Sequence, residues 1–168
     1  MSKGILILVP TGSNKTLFFL QLDSKTKKKW LDGDVLLNQF GIKNNINFWY
    51  NNNNNCEKNQ NIIKRINKIF FKATLKGFNI IFTGNPLLLT PDVIIYPNLK
   101  KRWKNNRKKE SMGQWSPNEV QFNLENKAFK QAFCNVQIII NGDIPNIDLL
   151  NNISQSLNKK TTDKYLYS

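Results

Sequence analysis

Apolar positions fall into two rhythms along the chain. Ile5-Leu6-Ile7-Leu8-Val9 is an unbroken aliphatic run, the pattern of a strand covered on both faces in the middle of a parallel sheet. Phe78–Phe82, Asp92–Tyr96 and Val136–Ile140 read the same way, and Trp30–Leu37 predicts a short strand running into a turn and a further helix. Between these runs the period lengthens. Leu17–Leu22 predicts a short helix. Ile62, Ile66, Ile69, Phe70 and Ala73 share one helical face, with Lys64, Arg65, Lys68 and Lys72 on the rest and Gly77 as the stop. A very basic helix is expected over Leu99–Lys109. A helix over Asn118–Ala132 has Val120, Leu124, Ala128 and Phe129 inward, and a closing one carries Ile147, Leu150, Ile153 and Leu157. Asn38–Gln60, rich in Asn and including Asn51–Asn55, predicts loops and turns.

Strands separated by helices give an α/β class: three layers, a central five-stranded parallel sheet with helices on both faces. With 168 residues, 40% of them hydrophobic, one ordinary domain over residues 1–158 with a real core is expected, and residues 159–168 read as a frayed tail. No apolar run approaches the roughly 18 residues of a spanning helix, and the opening run has no cleavage pattern after it, so no membrane partner and a cytoplasmic location are expected.

Composition narrows the chemistry. The chain has no His, so Ser/His/Asp and Cys/His nucleophile systems and Cys/His zinc sites are excluded. Its two cysteines, Cys56 and Cys134, read as reduced thiols. Phosphoryl transfer, which works by positioning and charge neutralisation, needs no imidazole. The net charge of +14 favours phosphate-bearing partners, although Lys supplies 22 of the 25 cations beside abundant Asn, the drift expected of an AT-rich genome.

One block carries the chemistry. Val9-Pro10-Thr11-Gly12-Ser13-Asn14-Lys15-Thr16 lies between the first strand and the first helix, where a phosphate-binding loop stands. Lys15 and Thr16 fit the roles of the phosphate lysine and the Mg²⁺-binding hydroxyl. Val9 and Asn14 stand where glycines belong, and Asn tolerates positive φ best among the other residues. A plain strand-turn-helix connection fits the same pattern.

With Asp32-Gly33-Asp34 after the second strand, the chain resembles the P-loop kinase superfamily, in particular small kinases of the nucleotide, shikimate and adenylylsulfate types. Ile80–Pro86, Pro91–Tyr96 with Lys101, Arg102, Trp103 and Arg107, and Val136–Leu157 resemble that fold's later segments in order. The resemblance implies ATP and Mg²⁺ as cofactors, with Thr11, Gly12, Ser13, Asn14, Lys15 and Thr16 around the nucleotide and Thr16 and Asp32 toward the metal. It implies Lys15, Asp34, Arg102 and Arg107 as catalytic groups: Asp34 on the acceptor hydroxyl, and the arginines, with Lys108 in a lesser part, on a lid-like segment near 99–117. Two departures stand out: Thr83 replaces the third-strand carboxylate, and Leu87 replaces the arginine that would hold a nucleoside monophosphate. The expected function is ATP-dependent transfer of a γ-phosphoryl group to a nucleotide, a nucleic-acid end or a small metabolite, the basic excess slightly favouring a nucleic-acid end. The alternative is a noncatalytic basic nucleic-acid-binding protein, viral or from another AT-rich genome, that retains the fold. Phe48, Trp49, Tyr50 and Trp115 either stack a base or fill the core.

Overall fold

The computed structural model describes residues 2–50 and 56–166, so Asn51–Asn55 lie outside the described residues. Five strands are present among them: β1 (Leu6–Leu8), β2 (Trp30–Asp32), β3 (Asn79–Phe82), β4 (Val93–Tyr96) and β5 (Ile138–Asn141). All pair in parallel, in the order β2-β3-β1-β4-β5. β1 is central and pairs on both edges, Leu8 standing opposite Phe82 on one side and Ile94 on the other. The unbroken aliphatic run therefore has a direct cause. Leu6 and Leu8 point into one core and Ile5, Ile7 and Val9 into the other, so no position on this strand meets water.

Helices cover both faces. α1 (Lys15–Leu20) and α8 (Ile147–Leu166) lie over one, with Phe18, Leu150 and Leu157 buried against Ile7 and Val93. α3 (Gly33–Asn38), α4 (Ile46–Trp49), α5 (Glu57–Leu75) and α7 (Glu119–Ala132) cover the other, placing Leu37, Trp49, Ile66, Phe70 and Phe129 on Leu8 and Phe82. α2 (Ser24–Lys27) precedes β2, and α6 (Leu99–Ser111) follows β4. The expected α/β architecture, a five-stranded parallel sheet with helices on both faces, is the observed one.

Several expectations are corrected in detail. The second strand ends at Asp32, whose carboxylate accepts from the Asp34 amide at 2.9 Å and starts α3 directly. The Asn-rich segment contains the single-turn α4, and α5 begins five residues before Ile62. In α7 the inward row is Phe122, Glu125, Ala128, Phe129 and Ala132, whereas Val120 and Leu124 are exposed. Ala128 and Phe129 face inward as expected, while in the first half of the helix the buried row passes through Phe122 and Glu125 in place of Val120 and Leu124. The backbone of α8 is helical to Leu166, with no Gly or Pro standing there to break it.

Candidate functional site

At the carboxyl end of β1 the chain switches from building on one side of the strand to building on the other, the place where open parallel sheets hold ligands. Pro10–Asn14 bends there. Gly12 has φ +79°, and a Cβ on it would lie 2.5 Å from the Arg102 carbonyl oxygen. Asn14 caps α1 at φ 62° and ψ 34°, the one non-glycine residue at positive φ among those described. The substitution that breaks the glycine pattern thus keeps the left-handed backbone. Asn14 gives no side-chain cap, so the first amides of α1 have no partner within the helix.

The loop is tied from beneath. The Thr11 amide donates to both Glu125 oxygens (3.2 and 3.1 Å), and its hydroxyl donates to Oε1 at 2.6 Å. Arg102 Nε donates to the Thr11 carbonyl and Nη2 to Glu125 Oε1, each at 3.0 Å. Asn105 reaches the Gly12 carbonyl at 2.8 Å and Asn106 the Thr11 hydroxyl at 3.2 Å. Burial pushes the Glu125 carboxyl above its ordinary range, and Arg102 opposes that rise.

Above the loop, Lys15 Nζ is held by Asp32 and, at 2.7 Å, by Asp34. Gly33 between them has no room for a side chain, since a Cβ would meet the Phe82 ring at 2.7 Å. Asn44 Nδ2 donates to Asp34 Oδ1 (2.7 Å) and to the Thr83 carbonyl (2.8 Å), while its oxygen accepts from Trp49 Nε1 at 2.7 Å. This network walls a hollow of about 620 Å³. Residues Pro10 to Thr16 line one side, and Asp34, Lys43, Asn44, Tyr50 and Lys109 face them.

The structure brings together Thr11, Gly12, Ser13, Asn14, Lys15, Thr16 and Asp34 on this hollow; Asp32 stands behind Lys15 and does not line it. Arg102 and Arg107 do not line it either. Arg102 is wholly buried against Glu125 and stacks between Tyr96 and Phe122. Arg107 stacks on Trp103 and bonds Glu110, Ser116 and Pro117. The α6 cation that does face the hollow is Lys109, a half-buried residue that charge counting along a basic helix could not single out. Burial first, then the neighbouring Lys15, holds its ammonium pKa below the usual lysine value. Lys43 and Asn44 sat in the segment with no recognisable pattern. Trp49 is core, packed edge-on against Phe48 and Phe82, whereas Trp115 is exposed at the rim of the hollow.

Chemically, this is a backbone bend with an ammonium group and open helix amides, next to a carboxylate whose other oxygen is held by an amide. Among the described residues no three Asp, Glu, Cys or His side chains cluster as a metal site. No helix among them is long and apolar enough to cross a membrane.

No protein-family model matches the chain, and no curated protein is similar to it in sequence. Among solved structures, it is similar to a shikimate kinase from Acinetobacter baumannii in complex with shikimate, at a TM-score of 0.54 and 11% identity, over 99% of this chain and 94% of that one. That likeness establishes the fold as P-loop-kinase-like.

Proposed function

We propose that the chain is a phosphotransferase that binds a nucleoside triphosphate on the β1–α1 bend and passes the γ-phosphoryl group to a hydroxyl of a small acceptor. The carrying observation is Lys15 held between Asp32 and Asp34 at the lip of a hollow lined by the bend. A lysine paired with two carboxylates moves to a triphosphate when one arrives, because the incoming charge exceeds that of the pair it leaves. Its departure frees an oxygen of Asp34, while Asn44 keeps the carboxylate aimed into the hollow. The acceptor oxygen forms its bond to the γ-phosphorus as the bond to the β–γ bridging oxygen breaks. The diphosphate leaves, and the acceptor proton goes to Asp34.

Mg²⁺ would neutralise charge on the phosphates. The groups proposed to hold it are the Thr16 hydroxyl, which lines the hollow, and Asp32, which stands behind Lys15 and would act through a metal-bound water, as suits an ion that keeps its waters and bonds mainly to substrate phosphates. Lys109 and Lys43 supply the cations that the sequence assigned to Arg102 and Arg107. The walled hollow, and the shikimate held by the similar structure, favour a small hydroxylated acceptor over a nucleic-acid end.

Calorimetry with ATP and Mg²⁺ on the wild type, Lys15→Ala and Asp34→Asn tests the proposal, followed by transfer assays on shikimate, nucleosides, adenylylsulfate and a 5′-hydroxyl oligonucleotide. Binding is expected to collapse in Lys15→Ala. In Asp34→Asn it should persist, with turnover on a small acceptor reduced by about 10²–10⁴. A wild type that binds oligonucleotide but no ATP would overturn the proposal in favour of a noncatalytic nucleic-acid binder.

A further inference from the structure

A second concavity, of about 870 Å³, wraps the open edge at β2 and is lined by α1, α3 and α5. Its walls are apolar and wet. Leu20 is 71% exposed, Val35 57% and Phe40 46%, with Ile69 and Leu36 deeper. Its rim is cationic: Lys27 stands on one side, and Arg65, Lys68, Lys72 and Lys76 on the other. Among the described residues the sole acid lining it, Asp32, is already taken by Lys15.

We infer that this groove docks an amphipathic helix of a partner protein, one with an apolar face flanked by a row of Asp and Glu. Three features select that occupant. The cations from Arg65 to Lys76 recur every three or four residues, a straight row about 16 Å long at the rise of a helix. A row of that length matches carboxylates spaced along about three helical turns, whereas an amphiphile with one headgroup would meet only one or two of the cations. The floor gains from burying leucine-sized side chains, which a nucleic-acid backbone does not offer. A second copy of this chain would set the cationic rim against itself, which charge repulsion opposes. The walls are also preset, since Arg65 donates to the Phe40 carbonyl at 3.0 Å and fixes the end of α3 against α5. The inference does not rest on the phosphotransferase reading.

The test uses the full chain and two synthetic 15-residue peptides with Leu at helical i, i+3, i+4, i+7 spacing, one flanked by Glu and the other by Lys. Calorimetry and amide-shift mapping are expected to show the Glu peptide bound at the Leu20, Val35 and Phe40 resonances and the Lys peptide unbound. Lys68→Glu combined with Lys72→Glu should weaken the Glu peptide at least about tenfold and admit the Lys peptide. These are exposed positions, and circular dichroism checks that the fold is kept. Phe40→Ser should weaken whichever peptide binds. The inference is overturned by no binding of the Glu peptide, by equal binding of both peptides, or by shifts elsewhere. Dodecyl phosphate, an oligonucleotide or self-association occupying the groove more tightly than the Glu peptide would also overturn it.

Discussion

Two cation–carboxylate clusters, Arg102 with Glu125 and Lys15 with Asp32 and Asp34, flank the same loop and differ in exposure and in partners. Arg102 and Glu125 lie beneath it, with side chains 0% and 1% exposed; both also bond Thr11, through its backbone and hydroxyl, while Arg102 Nη1 is buried with no hydrogen-bond partner. Lys15, Asp32 and Asp34 lie above it, with Asp34 38% exposed and open to the hollow. The buried pair is costly to break, because either partner alone would be a charge without compensation. In the upper cluster Lys15 and Asp32 are only 10% and 19% exposed, but Asp34 faces the hollow, so on the proposed function an incoming phosphate can take over its contact with Lys15. The lower pair fixes the loop, and the upper cluster leaves the lysine an exchangeable partner.

Replacing Arg102 by Met should give the largest effect, a loss of about 3–5 kcal/mol read as a fall in denaturant midpoint. Its pH dependence carries a definite sign. Without Arg102, burial is opposed only by the bonds from Thr11, and the folded-state pKa of Glu125 rises further above the unfolded value of 4.5. The variant's deficit should therefore be smallest below that value and grow as pH rises through the raised one. Adding Glu125→Met should recover part of the loss; a double variant no better than the single would show that Arg102 acts through its stacking on Tyr96 and Phe122 instead.

Lys109 should give an intermediate effect, on binding. Burial and the neighbouring Lys15 lower its pKa, so the affinity for the proposed triphosphate should begin to fall, as pH rises, before ordinary lysines lose their protons. Lys109→Gln should start roughly tenfold weaker at neutral pH and flatten the profile, as measured with a fluorescent nucleotide. The smallest effect is expected at Asn14. A change to Gly should alter stability by only a few tenths of a kcal/mol, whereas Ala at that positive φ should cost about 1 kcal/mol or more. Equal melting temperatures for the Gly and Ala variants would mean that the left-handed cap contributes nothing.

How legible all this was in the chain follows from the range over which each residue is determined. Ile5–Val9 announced a central strand because both its faces are buried, a property written into consecutive residues. The bend at Gly12 and Asn14 was likewise readable, since backbone conformation is local. Arg102 misled because its partner, Glu125, lies 23 residues on, in a helix whose apolar count favoured Val120 and Leu124 as the inward face. In sequence both residues look like solvated charges, and only the three-dimensional pairing makes each tolerable inside. Lys43, Asn44 and Lys109 were missed for the opposite reason: nothing near them in the chain distinguishes them from other Lys and Asn, and their importance comes entirely from what they face.

The bonds from Thr11 to Glu125 join positions 114 apart in the chain. During synthesis the amino-terminal third therefore emerges without the groups that hold its bend, and the nascent polypeptide has no finished cradle until α7 has left the ribosome. Competence for the proposed nucleotide should consequently appear late and all at once, and fragments ending before residue 125 should not bind it, even where β1, β2 and β3 have already paired.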